Sequence, residues 1–288
     1  MGVEFMAVGA MAETTDAARG LTAVTDPNQV RHDMSLTLRT ENGSAIAPPN
    51  KPGVRIGVYK SWRPASDEGW TRFTLDTFSI PFRSLSDADI RAGDLRARFD
   101  VVILPSQSDK QIVEGYAAGT YPAEYTGGIS ESGVASLRTF VEAGGTLICF
   151  DAATDLAIKR FDLPVKNVLA DLKQADFFCP GSILRLKVDI KHPIGQGLRP
   201  ETDAFFINSA AFAILDEKRV TPIARYANDH VLRSGWLRGE KYLAGKVALA
   251  EVTMGRGRVI LFGFRPQHRG QTWGTFPFIF NAIERGRH

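Results

Sequence analysis

Short, almost uninterrupted apolar segments alternate with amphipathic segments between residues 54 and 150, and this alternation limits the possible folds more than any other feature. The apolar segments are residues 54–59, Val101–Leu104 and Thr146–Phe150. Strands that are apolar on both faces are typical of a sheet that is covered on both sides. Their alternation with helices predicts an α/β fold, in which a parallel sheet lies between helical layers.

Two of the intervening segments have clear helical signals. Ser66 can cap the first helix, acidic residues follow in its first turn, and the pattern predicts an end near Pro81. Ser130 or Ser132 can cap the second helix, and the two glycines at residues 144–145 are expected to end it. Its apolar residues fall on one helical face, as expected for packing on a sheet: Val134, Leu137, Phe140 and Val141.

The second half of the chain is richer in strands. Residues 182–188, 220–224, 247–252 and 258–264 have strand patterns, and residues 272–283 are expected to form a closing helix. A glycine-containing turn at residues 254–257 joins two of these strands and predicts a hairpin. We therefore expect additional antiparallel strands beside the mostly parallel sheet.

Composition and spacing exclude several classes of function. The 288 residues carry a formal net charge of only +3, in scattered positions, which argues against nucleic-acid binding. No apolar run reaches the ~18 residues of a membrane span. The five histidines lack metal-ligand spacing, so neither a metal nor a cofactor is expected. The sequence leaves the oligomeric state open.

The N-terminal part differs from the rest of the chain. Residues 1–52 are weakly patterned and end in a proline-rich linker, so we predict a single domain over residues 53–288. Residues 5–12 resemble the apolar core of a signal peptide, but no basic residue precedes them and Glu4 is acidic. The sequence alone therefore gives little support for export.

The corner after the strand Thr146–Phe150 carries Asp151, and a helical pattern follows. Many α/β enzymes present a nucleophile at such a strand-to-helix turn. We favour Asp151 as the N-cap of the following helix, because Asp is a preferred capping residue. Two alternatives are a carboxylate nucleophile and an acid–base pair with His268. Cys149 lies inside the apolar strand and is expected to be a buried thiol.

Polar and aromatic residues follow the predicted parallel strands. Ligands of open α/β sheets bind beyond the carboxyl ends of the strands, so these residues are candidates for a cleft. Such a cleft suits a small-molecule or peptide ligand, and Tyr121 and Tyr125 of a turn-rich loop could line it. The candidates are Trp62, Gln107, Asp155, Arg265 and Arg269.

Four segments together resemble a known family. They are residues 67–72 (DEGWTR), 125–128 (YTGG), 144–147 (GGTL) and 263–272 (GFRPQHRGQT). They look like parts of the class I glutamine amidotransferase-like domain that is found at the C-terminus of bacterial zinc carboxypeptidase-family proteins. The resemblance implies a flavodoxin-like three-layer sandwich and an exported protein.

The same resemblance implies a loss of catalysis. Working members of this family would place a nucleophilic Cys about where Asp151 stands and a His-Pro-Glu segment near Pro266-Gln267-His268. The His-x-x-Glu motif of the zinc carboxypeptidases is absent from the sequence. We therefore expect a pseudoenzyme that acts as a binding or accessory domain. The alternatives are a hydrolase using Asp151 and His268, or a fragment of a metallocarboxypeptidase that lacks its zinc domain.

Overall fold

The structure is a computed structural model that describes residues 38–39, 45–46 and 53–287. Strands β1 (Leu38–Arg39) and β2 (Ala45–Ile46) pair antiparallel in a two-stranded sheet, with Leu38 opposite Ile46. The rest of the predicted N-terminal segment lies outside the described residues. The domain boundary between residues 52 and 53 therefore stays a prediction.

The parallel half of the large sheet has the strand order of a flavodoxin-like fold. Its strands are β3 (Ile56–Tyr59), β4 (Arg83–Leu85), β5 (Val101–Leu104), β6 (Thr146–Phe150) and β14 (Gly257–Phe262). Across the sheet they lie in the order β4, β3, β5, β6 and β14, and every neighbouring pair is parallel. Numbered along the chain, this order is 2-1-3-4-5. The predicted α/β fold is thus confirmed.

Antiparallel strands extend the sheet beyond β14, as predicted for the second half of the chain. These strands are β7 (Val165–Asn167), β8 (Ser182–Val188), β9 (Glu201–Phe206), β10 (Phe212–Ile214), β11 (Val220–Tyr226), β12 (Leu232–Ser234) and β13 (Val247–Met254). The hairpin turn that joins β13 to β14 contains Gly255, whose φ of +59° suits glycine. The sheet continues from β13 through β11 and β8 to β9, and β12 also pairs with β8.

The helices largely follow the sequence pattern. The first ends at Thr77 rather than near Pro81, because Ser79 takes a left-handed φ of +53°. The closing helix begins at Phe276, later than predicted, because Trp273–Thr275 forms a separate 3-10 turn. The helices are α1 (Ser66–Thr77), α2 (Asp87–Arg91), α3 (Leu95–Arg98), α4 (Asp109–Glu114), α5 (Ser130–Glu142), α6 (Thr154–Arg160) and α7 (Phe276–Glu284).

Alternate residues of the central strands enter two separate apolar cores. On β5, Val101 and Ile103 belong to the core that contains Phe278 of α7, whereas Val102 and Leu104 belong to the other core. The second core contains the apolar face predicted for α5. Two cores on opposite faces of one sheet make the three-layer sandwich expected from continuously apolar strands.

Candidate functional site

The turn after β6 has the geometry of a nucleophile elbow. Asp151 follows Phe150 directly, takes a left-handed φ of +50°, and begins the 3-10 turn Asp151–Ala153 that leads into α6. Asp tolerates this region better than most residues. A non-glycine residue there still costs of the order of 1–3 kcal/mol and persists where its surroundings hold it.

The Asp151 carboxylate is held by side chains from two other strand ends. It is 2% exposed, and its Oδ2 accepts hydrogen bonds from Ser106 Oγ at 2.7 Å and from Arg265 Nε at 3.0 Å. The N-cap of α6 is Ala153, with no side-chain capping bond. The favoured interpretation of Asp151 as a helix cap is therefore wrong, because its side chain points to Arg265 and Ser106 instead.

Arg265 joins Asp151 to a second buried carboxylate. Its Nη1 lies 2.9 Å from Oδ2 of Asp67, in the first turn of α1, and Asp67 is 4% exposed. Burial raises the pKa of Asp67, the Arg265 guanidinium opposes this rise, and the nearby Asp151 carboxylate adds to it. Asp67 was not among the residues predicted for the site. An available signal was its place in the first turn of the helix that follows β3.

Several buried acceptor atoms in this network have no hydrogen-bond partner among the described residues. They are Oδ1 of Asp67, Oδ1 of Asp151 and Oε1 of Gln267. Gln267 is fully buried, and its amide nitrogen donates to Thr71 Oγ1 at 2.9 Å. An unsatisfied buried acceptor costs about 1–3 kcal/mol. Such a concentration at one strand edge is typical of a site rather than of a packing core.

His268 lies close to this network but does not pair with Asp151. Its ring stacks on Phe205, with centroids 3.8 Å apart and planes 11° from parallel. No hydrogen bond between Asp151 and His268 occurs in the described part of the chain. Burial lowers the pKa of His268, and the charges of Arg265 and Arg269 lower it further, while Asp151 opposes them. The predicted acid–base pair is therefore not formed in this structure.

We expect the pKa of His268 to respond to Arg269, which is exposed and dispensable for the buried network. Titration of the His268 Cε1–H resonance by NMR should give a midpoint below the ordinary value of 6.5, because burial and two guanidinium groups disfavour the imidazolium. Arg269→Gln should move this midpoint upward. Because the folded-state pKa is depressed, neutral His268 favours folding above the ordinary value, and this contribution disappears as the pH falls through the folded-state pKa.

The matched control is Arg256→Gln, at the hairpin between β13 and β14. It removes the same charge at the edge of the sheet opposite to the site. It should leave the midpoint of His268 unchanged. A wild-type midpoint above 6.5, or equal midpoints in wild type and Arg269→Gln, would contradict the electrostatic account.

Two cleft candidates, Trp62 and Gln107, lie where the strand order reverses. The chain turns from β3 towards β4 on one side, while β5 lies on the other, and such a switch point is the usual ligand crevice of an open α/β sheet. The Gln107 amide donates to the Arg63 carbonyl at 3.0 Å across this point. Beside it, Trp62 is 46% exposed and meets Tyr125 edge-to-face at 4.7 Å.

The remaining cleft candidates are less engaged. Asp155 forms an ion pair with Lys159 of its own helix at 3.0 Å, and no described hydrogen bond connects it to the buried network. Arg269 is exposed, with a left-handed φ of +54°. Of the five candidates, Arg265 belongs to the buried network, while Trp62 and Gln107 lie at the switch point. Asp155 and Arg269 are peripheral.

The cysteines and the potential metal ligands form no catalytic or metal centre among the described residues. Cys149 is fully buried in the core, and burial raises the pKa of its thiol well above the ordinary value. Cys179 is buried as well. Within residues 53–287 and the two short strands, no cluster of three metal-ligating side chains occurs. In the same residues, no helix is long and apolar enough to cross a membrane.

Comparison with known proteins identifies the fold through structure alone. No family model matches the chain, and no curated protein matches it in sequence. A protein from Thermoplasma acidophilum that is assigned as one of the subunits of GMP synthase superposes with a TM-score of 0.51 at 10% identity, over 82% of this chain and 96% of the other. A cytoplasmic protein from Salmonella typhimurium superposes with a TM-score of 0.50 at 14% identity, over 80% and 97%.

A β-galactosidase from Bacillus circulans sp. alkalophilus has a similar region. It superposes with a TM-score of 0.50 at 13% identity, over 80% of this chain but only 31% of the enzyme. This chain therefore spans about a third of the β-galactosidase's length. At these identities the similarities show a shared fold, and they assign neither an activity nor a ligand.

Proposed function

We propose that this chain, which has a class I glutamine amidotransferase-like fold, is a non-catalytic domain that binds a ligand at the carboxyl edge of its parallel strands. The observation that carries the proposal is the burial of the Asp151 carboxylate and its hydrogen bonding. The elbow is present, but its side chain is a buried carboxylate held by Arg265 and Ser106. A fold can keep its architecture while the chemistry at its site changes.

The electrostatics of the corner disfavour a carboxylate nucleophile. A nucleophile needs an accessible lone pair and an activating base. Oδ2 of Asp151 accepts two hydrogen bonds, one from a guanidinium, and Oδ1 is buried. A charge-assisted hydrogen bond stabilises the carboxylate and lowers its reactivity. The alternative hydrolase would also need His268 as a base, yet that ring stacks on Phe205 instead.

The switch point supplies the binding surface of the proposal. Trp62 and Tyr125 expose aromatic faces there, and Lys60 and Arg63 place polar groups beside them. Ligand sites combine aromatic walls with a few fixed polar groups. Arg63 is itself fixed, because its guanidinium lies 5.2 Å from the Tyr116 ring centroid. We therefore expect a small-molecule or peptide ligand that contacts Trp62.

An association with zinc carboxypeptidases remains part of the proposal on the basis of the four sequence segments alone. The domain would then accompany a separate zinc domain, either in the same chain or as a partner. The alternative is that the sequence is a fragment of a metallocarboxypeptidase. The genomic reading frame upstream of Met1 tests this: an in-frame extension with zinc-ligand motifs would favour the fragment.

Asp151→Asn tests the absence of catalysis. Asn tolerates a left-handed φ and has a similar shape, so we expect the variant to keep the fold. Wild type and variant should hydrolyse glutamine, p-nitrophenyl acetate and peptide amides no faster than buffer alone. Near-UV circular dichroism would verify the fold, and Asp155→Asn provides the same chemical change on a peripheral carboxylate.

A wild-type activity that Asp151→Asn reduces by about 100-fold or more, with the fold intact, would establish the hydrolase instead. The binding half of the proposal is measured by thermal shift with libraries of carboxylates, peptides and sugars, since a ligand that binds only the folded state raises its stability. A ligand of the proposed site should lose its effect in Trp62→Ala. A ligand that still raises the melting temperature of Trp62→Ala would bind at another site.

A further inference from the structure

A second pocket lies on the antiparallel half of the sheet. It has a volume of about 310 Å³ and is lined by Gln174, Ala175, Phe178, Trp236 and Arg238. The pocket adjoins the start of β8. Strands β14, β13, β11 and β8 are successively antiparallel, so β8 begins at the edge where β14 ends. The pocket therefore opens at the same edge as the elbow, but on strands that the proposed site does not use.

The frame of this pocket is fixed by paired hydrogen bonds. Both backbone polar groups of Trp236 bind Ser182, with its N–H donating to Oγ at 2.9 Å and Oγ donating to its carbonyl at 2.7 Å. Phe178 and Arg238 exchange two backbone hydrogen bonds at 3.1 and 2.9 Å. These contacts hold the segment with Trp236 and Arg238 against the segment with Phe178. A backbone frame that is already in place lowers the part of the entropy cost of binding that comes from ordering the two segments.

Glycine is required on both sides of the segment that carries Trp236. A Cβ atom at Gly235 would lie 2.6 Å from Ser182 Oγ, and one at Gly239 would lie 2.3 Å from the Asp176 carbonyl oxygen. Both glycines have positive φ, +102° and +82°. The close approach of the two segments thus depends on glycine at these two positions. This dependence indicates a well-defined pocket rather than a loosely packed loop.

The lining side chains have unused binding capacity. Trp236 is 60% exposed, and its indole meets no other ring in the described part of the chain. Within the same residues, the Arg238 guanidinium forms no hydrogen bond or ion pair, not even with nearby Asp176. The Gln174 amide is similarly free of side-chain hydrogen bonds among the described residues. An aromatic face, an exposed guanidinium and a neutral amide thus line one opening.

We propose that this pocket binds small carboxylates that carry a flat ring. The ring would stack on Trp236 and contact Phe178, and the carboxylate would accept two hydrogen bonds from the planar fork of Arg238. Gln174 supplies a neutral donor for a further oxygen of the ligand. This site is independent of the function proposed for the elbow and the switch point, because the two share no lining residue.

The test uses benzoate as the probe and benzamide as its uncharged counterpart. The four tryptophans give four indole N–H resonances in a ¹H–¹⁵N NMR spectrum, which Trp→Phe variants assign. Benzoate should shift the resonance of Trp236 with a Kd in the millimolar range that is typical of small fragments, while Trp62 stays unchanged. Benzamide should bind at least about fivefold more weakly, because it lacks the charge that Arg238 pairs with.

Arg238→Gln should weaken benzoate binding by about five- to tenfold and leave the weak binding of benzamide unchanged. The control, Arg256→Gln, removes one positive charge at the opposite edge of the sheet and should have no effect. Equal affinities for benzoate and benzamide would overturn the proposal. So would an unchanged affinity in Arg238→Gln, or no movement of the Trp236 resonance up to about 20 mM benzoate. None of these outcomes affects the Asp151 and Trp62 tests.

Discussion

Arg265→Gln is expected to lower the free energy of unfolding by about 3–5 kcal/mol, the usual result when one partner of a buried ion pair is removed. The variant leaves Asp67 and Asp151 without their shared cation, although their side chains are only 6% and 2% exposed. Among the described residues, Ser106 would be the remaining side-chain donor to Asp151. The large cost arises from two buried negative charges, rather than from the modest value of any single hydrogen bond.

The effect of Arg265→Gln should depend on pH in a definite direction. Burial already raises the pKa of Asp67, and the charge of Arg265 is the largest effect that opposes this rise. Without the guanidinium, the pKa of Asp67 rises further, so the folded variant binds a proton that the unfolded chain releases. Folding is then penalised at pH values above the folded-state pKa and recovers as the pH falls towards the ordinary carboxyl value of about 4.

Urea denaturation of wild type and variant at about pH 8 and about pH 5 measures both parts of this expectation. The loss should be greatest at the higher pH. Arg269→Gln, a neighbouring change at an exposed position, should cost less than about 0.5 kcal/mol. In the double variant Asp67→Asn/Arg265→Gln, the loss should be smaller than in Arg265→Gln alone, because one uncompensated charge is gone. A loss below about 1 kcal/mol, or one equal at both pH values, would show that the network is not charged as described.

The sequence was sufficient for the fold because its central strands are short and apolar on both faces. Two cores on opposite sides of β5 are what such strands require. The corner at Asp151 could likewise be located, since an apolar strand runs directly into a helical pattern there. The start of the closing helix could not be predicted, because α-helical and 3-10 turns have similar sequence signals, and Trp273–Thr275 forms a 3-10 turn.

The partners of Asp151 could not be predicted in the same way. Asp67 and Arg265 are 198 positions apart, and they meet only because α1 packs against the loop after β14. Phe73 of α1 lies so close to Gly270 that a Cβ atom there would be 2.7 Å from the ring. Statistical preference favoured a helix cap for Asp151. Its left-handed backbone and the nearby Arg265 guanidinium direct the side chain away from the capping position. Neither feature can be recognised in the local sequence.

Glu251→Gln is the other change with a large expected effect, and it acts at a different buried carboxylate. Glu251 of β13 binds Arg285 with two parallel hydrogen bonds, Nε to Oε2 and Nη2 to Oε1, both at 3.0 Å. Arg258 and His192 lie within 4 Å of the same carboxylate, at 3.9 and 3.8 Å. The residue therefore attaches the end of α7 to the sheet. Its neutralisation leaves cationic groups uncompensated, at a cost of about 3–5 kcal/mol.

His192 gives this second effect the opposite dependence on pH. Burial lowers the pKa of His192. The carboxylate of Glu251 opposes this shift, whereas the guanidinium groups of Arg285 and Arg258 add to it. Since the folded-state pKa is depressed, neutral His192 favours folding above the ordinary value of 6.5, and the advantage disappears as the pH falls through the folded-state pKa. Glu251→Gln lowers the pKa of His192 further, because the larger of the two opposing charges is lost and only that of Asp189 is left. Its cost should therefore grow from about pH 8 to about pH 5, whereas that of Arg265→Gln shrinks.

Urea denaturation at the same two pH values compares the two networks directly. Glu142→Gln, which breaks an exposed ion pair with Arg138 on α5, is the control and should cost about 0–1 kcal/mol. If Glu251→Gln cost no more than this control, the bidentate pair would not anchor α7. If the loss of unfolding free energy changed with pH in the same direction for both variants, a general effect of net charge would explain the results better than the two local networks. Opposite directions require that one cluster is controlled by carboxylates and the other by an imidazole.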